Sequence, residues 1–281
     1  MKKYYSFAGI ELEIDIPDQW MYEDDGHLAG FCVESVNDPY VFYFGIADAF
    51  LPPKGVCIAN TGALRAYGDG TRYIGSVEQS WENAYAQILC DGRQRRALLK
   101  HSSFPNRIGA KTVLNCMAAE HLIAENGGFI LHSSFIAHNG RAILFTAPSG
   151  TGKSTQADLW QQLRGAKICN GDRCAVRCTE EGCFACGIPF AGSSEYCENV
   201  TLPLAAVVYL KQAPKTEIRR LRGAEAFRRI WEGVSVNTWD REDVALVSDT
   251  VTKVLSQVPV FELACTPDES AILALEGALT T

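Results

Sequence analysis

Seven consecutive residues, Ser149-Gly150-Thr151-Gly152-Lys153-Ser154-Thr155, stand between an apolar run, Ala142 to Thr146, and a helix-forming stretch, Gln156 to Trp160. The chemistry this spacing suits is the holding of a polyphosphate. Glycines let the backbone curve tightly, so that successive N–H groups face an anion at the first turn of a helix. Lys153 adds a point charge for β and γ phosphates, and the Ser154 hydroxyl is placed to ligate an accompanying Mg²⁺. The match to G-x-x-x-x-G-K-[ST] has one departure. Ala147 stands at the first glycine, a small-for-small change that a tight turn can absorb.

Phosphate chemistry also needs a carboxylate, to hold Mg²⁺ or to take a proton from an attacking hydroxyl. Asn170-Gly171-Asp172-Arg173 supplies one directly after the first strand beyond the loop's helix, where the strand end should lie beside the phosphates. Asp172 fits either role. His132 lies on the strand paired with the loop's own strand, and pattern alone makes it a core residue. His138, beside the Asn139-Gly140 turn, is expected to be solvated.

Eleven cysteines are many for this chain, and the densest group is Cys174, Cys178, Cys183 and Cys186. An odd count without a secretion signal predicts reduced thiols. Glu181-Gly182 reads as the turn of a hairpin whose arms carry these cysteines. Small buried hydrophobes account for them more simply than a zinc site.

The elements that must position these residues follow from periodicity. The first hundred residues alternate short apolar runs with turn signals, as in Ile10 to Ile14, Tyr40 to Phe44 and Arg96 to Leu99, which predicts a β-rich region over 1–105. A helix is predicted from about Arg107 to Glu125, ending at Asn126-Gly127-Gly128. From 106 to 281 the pattern is α/β with a mixed (α+β) sheet. It has a strand over Phe129 to Ala137, the loop's strand over Arg141 to Thr146, a strand over Lys167 to Asn170 and a buried strand over Leu204 to Leu210. Three closing helices are predicted over Gly223 to Trp231, Asp240 to Ser256 and from Thr266, with Thr266 as N-cap and Glu269 completing a capping box.

With 281 residues, 47% hydrophobic and 21% charged, the chain can bury full cores. A net charge of -7 gives no broad field for nucleic acid, so the clusters at Arg93 to Arg96 and Arg219 to Arg222 read as solvated faces. No stretch approaches the roughly eighteen apolar residues of a membrane span, and Glu11, Glu13 and Asp15 interrupt any N-terminal apolar region. A cytoplasmic protein with no nucleic-acid or membrane partner is expected.

The block from Leu131-His132 through Ser154, followed by Gly171-Asp172-Arg173, resembles the catalytic domain of HPr kinase/phosphorylase, which shares a nucleotide-binding fold with the ATP-dependent phosphoenolpyruvate carboxykinases. The likeness covers about 129 to 210 and does not reach the first hundred residues. It implies a P-loop kinase domain using ATP and Mg²⁺. The site would contain His132, Lys153 and Asp172, the loop residues Ser149 to Thr155, and Ser154 and Asp172 at the metal. Gly171 takes the place of the family's first aspartate, which leaves the role of Asp172 as base, metal ligand or both open. Gly187-Ile188-Pro189-Phe190-Ala191-Gly192 echoes a family loop, with Glu195 a further acidic candidate.

The resemblance implies transfer of the γ-phosphoryl group to a hydroxyl, a serine in a peptide or small protein, with acceptor recognition by 1–105 and a homo-oligomer among its assemblies. HPr itself is a poor match as substrate, since no feature that would dock it is recognisable. A carboxykinase acting on a small acid is disfavoured by length. A nucleotide sensor without transfer is the other alternative that Gly171 keeps open.

Overall fold

The computed structural model describes residues 1–23, 26–105, 107–192, 194 and 196–280, so Glu195 lies outside the described residues. The architecture is α/β with mixed sheets, in two compact units, Met1–Ala119 and Glu120–Thr281.

Unit 1 is built on a nine-stranded sheet. Its strands are β1 (Lys2–Phe7), β2 (Ile10–Asp15), β4 (Cys32–Val33), β5 (Tyr40–Ala47), β6 (Cys57–Asn60), β7 (Leu64–Tyr67), β8 (Arg72–Gly75), β9 (Ala84–Asp91) and β10 (Gln94–Lys100), in the order β4-β1-β2-β5-β10-β9-β8-β7-β6. The alternation seen in the sequence decides which face is buried. In β2, Ile10, Leu12 and Ile14 are inside while Glu11, Glu13 and Asp15 sit nearer solvent. Strand β3 (Met21–Glu23) pairs separately with β11 (Arg107–Gly109). In the 93–96 cluster Arg95 is buried, its guanidinium over the Tyr40 ring, instead of solvated.

The single helix expected over 107–125 is replaced by β11 and two short helices, α1 (Ala110–Cys116) and α2 (Ala119–Glu125). The break falls at Ala118, whose φ of 50° is left-handed and cannot continue a right-handed helix.

Unit 2 folds around a second nine-stranded mixed sheet. Its strands are β12 (Gly128–His138), β13 (Arg141–Thr146), β14 (Lys167–Asn170), β15 (Arg173–Thr179), β16 (Gly182–Cys186), β17 (Thr201–Gln212), β18 (Glu217–Leu221), β19 (Val234–Ser235) and β20 (Val260–Cys265). The long strands β12 and β17 each change partners along their length. The first half of β12 pairs with β15 and its second half with β13 and β14. Strands β13, β17 and β20 are adjacent and parallel, so their carboxyl ends open onto one edge.

Helices α3 (Lys153–Arg164) and α6 (Glu269–Leu279) cover one face, packing Trp160, Ile272 and Leu275 on Ile143 and Phe145. Helices α4 (Gly223–Trp231) and α5 (Arg241–Gln257) cover the other, packing Val247, Val251 and Ile230 on Phe129, Leu131 and Leu144. Residues 143 to 145 of β13 thus alternate between two cores, as a strand buried on both faces must. No helix among the described residues is long and apolar enough to cross a membrane.

Three local expectations are corrected. The last helix is capped by Asp268, whose carboxylate accepts from Ser270 N at 2.9 Å, and the Thr266 hydroxyl donates to that carboxylate instead of capping. His138 is not simply solvated, because its ring stands edge-on to Trp160 at 5.1 Å. Cys178 and Cys183, directly opposite in the β15–β16 register, form a disulfide, whereas Cys174 and Cys186 are buried free thiols. Burial pushes the Cys174 thiol up to about 12, so it packs as a neutral group.

Candidate functional site

Strand pairing gathers the chemistry-bearing residues of unit 2 at one sheet edge. Thr146, the end of β13, pairs with Ser133 of β12, which sets His132 beside the start of the glycine-rich loop. Asn170, the end of β14, pairs with Phe135 of the same strand, which brings Asp172 there too, and Arg173 sits opposite His132 in register. The Thr146 hydroxyl donates to His132 O at 3.0 Å, and His132 N donates to Gly233 O at 2.7 Å, so the histidine backbone is fixed on both sides.

The loop between β13 and α3 takes left-handed backbone at Gly150 (φ 76°) and Gly152 (φ 115°), conformations that favour glycine. Gly152 is the N-cap of α3 and has no side chain to satisfy the helix's first amides. Lys153 is only 8% exposed, yet its ammonium donates to two neutral acceptors, Ala147 O at 2.9 Å and Pro148 O at 3.3 Å. A buried cation beside free helix-start amides is a place for an anion. Burial lowers the Lys153 pKa, while the charge of Asp172 acts to raise it.

Facing the loop, His132 Nε2 lies 3.0 Å from Asp172 Oδ1, and Arg173 Nε donates to Asp172 Oδ2 at 3.1 Å. The carboxylate is therefore held through both oxygens. Burial first, then the Lys153 charge, push the His132 pKa below its ordinary value, and Asp172 opposes them. His132 is thus neutral near pH 7 and can accept or pass a proton.

The turn carrying Asp172 is fixed by Asn170, which is fully buried. Its side-chain oxygen accepts from Asp172 N and Arg173 N, both at 2.9 Å, and its amide donates to Ile188 O and Phe190 O. This ties the Gly187 to Gly192 segment to the same turn. Gly192, with φ +57°, lies so close that a Cβ there would come within 2.7 Å of the Asp172 carboxylate. Gly171 has an equally specific neighbour, since a Cβ would stand 2.3 Å from Ser194 Oγ. Ser194 thus occupies space that a side chain at 171 would need.

A cleft of about 540 Å³ is lined by His132, Ser149, Lys153, Ser154, Asp172 and Tyr196, with Gly150, Gly152 and Thr155 in its wall. Of the sequence-predicted site residues that are described, all but Thr151 line it; Thr151 faces neighbouring hollows on the other side of the loop. Ser154 and Asp172 present hard oxygen donors of the kind Mg²⁺ takes. Sequence reasoning missed Asn170, Ser194 and Tyr196. Asn170 opens an Asn-Gly-Asp turn, a signal that could have marked it, but its contacts to residues 188 and 190 have no local signature.

Away from the cleft, His121, Asp240 and Asp243 place potential ligand atoms within 4.8 Å of one another. Their donors and acceptors already serve the fold. His121 Nδ1 and the buried Asp243 carboxylate are 2.6 Å apart, Asn237 donates to the other Asp243 oxygen, and Asp240 caps α5.

Residues 111–267, more than half of the chain, match the profile of the family described as SynChlorMet cassette protein ScmC. No curated protein matches. Among solved structures, the HPr(Ser) kinase/phosphatase from Coxiella burnetii is similar over 54% of this chain and 88% of its own, at 11% identity and a TM-score of 0.32. Identity and TM-score are both low, so the functional reading rests on the residues of the cleft.

Proposed function

The chain belongs to the SynChlorMet cassette protein ScmC family, and from that premise and the cleft we propose that it is an ATP-dependent phosphotransferase acting on a hydroxyl, a serine of a peptide or small protein. The observation that carries the proposal is the buried Lys153 ammonium, whose partners among the described residues are neutral carbonyls, in one cleft with the His132–Asp172 pair.

In this reading Lys153 leaves the Ala147 and Pro148 carbonyls to hold β and γ phosphates, and the amides at the start of α3 hold the rest of the anion. Ser154 and Asp172 would hold Mg²⁺, which when bound neutralises charge on the phosphates. Asp172 takes the proton of the acceptor hydroxyl. His132 and Arg173 position that carboxylate, and neutral His132 can relay the proton onward. Unit 1 recognises the acceptor. The protein works in the cytoplasm without nucleic-acid or membrane partners, and a homo-oligomer fits the resemblance.

One observation favours a second reading, a nucleotide sensor that binds without transfer. Gly171 lacks the carboxylate of the resembled family, and Ser194 fills its space. Incubation with γ-labelled ATP, Mg²⁺ and size-fractionated extract of the source cells separates the two. Label in a discrete peptide or small protein supports the kinase. Tight ATP binding with no labelled product in any fraction supports the sensor.

A further inference from the structure

We propose that the hollow on the other side of the glycine-rich loop is a base pocket for adenine, with Gln156 as the residue that reads the base. This rests on the reading of the loop as a phosphate site and adds what that reading lacks, a reason to take one nucleotide over another.

The hollow, about 550 Å³, shares Gly150, Gly152 and Thr155 with the catalytic cleft, so the loop is the wall between them. A nucleotide with its phosphates on the loop therefore has this space directly beside it. The far walls are the segments leaving the parallel strands β17 and β20, at the carboxyl edge where open α/β sheets take their ligands. Leu210, Ala213, Pro214 and Pro267 give those walls an apolar surface suited to the faces of a planar ring. Ala213 N donates to Cys265 O at 3.2 Å, which ties the two segments together.

One lining residue carries the specificity. Gln156, 3% exposed on the first turns of α3, donates its side-chain amide to Cys265 Sγ at 3.5 Å, and its side-chain oxygen has no hydrogen-bond partner among the described residues. A buried carboxamide oxygen without a donor is costly, and a site that holds one is short of a donor. The bond from its nitrogen to Cys265 Sγ holds the amide in this orientation, so the group offers an incoming base its oxygen, an acceptor. Adenine offers an exocyclic amino group to such an acceptor. Guanine presents a carbonyl oxygen at the corresponding position, setting acceptor against acceptor. The hollow has room for a bicyclic purine.

The test is calorimetry on the full chain with the Mg²⁺ salts of ATP, GTP and tripolyphosphate, repeated on Gln156→Leu. The expected result is ATP bound about tenfold or more tightly than GTP, this preference lost in Gln156→Leu, and tripolyphosphate bound equally by both proteins. Equal binding of ATP and GTP, or preference for GTP, in the unaltered chain would overturn the base pocket while tripolyphosphate binding upheld the phosphate loop. Absence of binding by tripolyphosphate and both nucleotides would overturn the loop reading and this inference with it. The unaltered chain gives the decisive comparison even if the variant does not fold. Displacement of ATP by adenosine but not by guanosine is the matching expectation without phosphates.

Discussion

Each unit of this protein contains a histidine–aspartate pair at the carboxyl edge of three adjacent parallel strands, and the two pairs are built for different ends. In unit 1, β2, β5 and β10 run parallel, and His101 Nδ1 lies 3.4 Å from Asp48 Oδ1 just past the ends of β10 and β5. Both side chains are exposed, and water screens the pair. In unit 2, His132 and Asp172 are 3.0 Å apart, half-buried, with Lys153 lining the same cleft and Asn170 fixing the turn beneath. Parallel strands therefore supply an edge, not a site. What distinguishes the second pair is its supporting shell: a buried cation, two left-handed glycines and a carboxylate held through both oxygens.

Breaking unit 2's pair should have the largest effect. Asp172→Asn keeps the shape but removes the carboxylate proposed as proton acceptor and metal ligand, and transfer should fall about 10²–10⁴-fold in steady-state assays. Lys153→Ala should lower it by about 10²–10³-fold or more with the fold intact by circular dichroism, because the loop loses its one point charge. Gly192→Ala sharpens the comparison without touching either pair. Its methyl would crowd the Asp172 carboxylate at a left-handed position, and misplacing that group should cost up to about 10²-fold.

The pH response comes next. Burial and Lys153 hold the His132 pKa below 6.5, so the neutral imidazole persists through pH 7 and transfer should decline only as pH falls beneath 6.5. His132→Asn should remove that acid limb, and a limb that survives the substitution would assign it to another group. The smallest effect belongs to unit 1. His101→Ala should change neither transfer nor melting temperature measurably, and a clear loss in either would end the distinction drawn between the pairs.

The site was more legible in the sequence than the path of the chain around it. Lys153, Ser154 and Asp172, which share one cleft, could be picked out because phosphate chemistry would need such residue types at such spacings, and their strands follow from apolar runs. Asn170 and Ser194 stayed hidden because their partners, residues 188 and 190 in one case and Gly171 in the other, are far away in sequence. The helix expected over 107–125 was misread because apolar spacing runs straight through Ala118, and alanine gives no hint of a left-handed turn. At the last helix, Thr266 and Asp268 are both cap-type residues, and only the observed bond to Ser270 separates them. The Cys178–Cys183 pairing depended on strand register, which composition does not reveal.

The most direct test of the account is phosphorus NMR of the intact chain with Mg²⁺, ATP and the acceptor-containing fraction, run beside Asp172→Asn. The account predicts a phosphomonoester resonance that grows as the γ-phosphate signal declines, and its absence with the variant. The same resonance at undiminished rate with Asp172→Asn would contradict it.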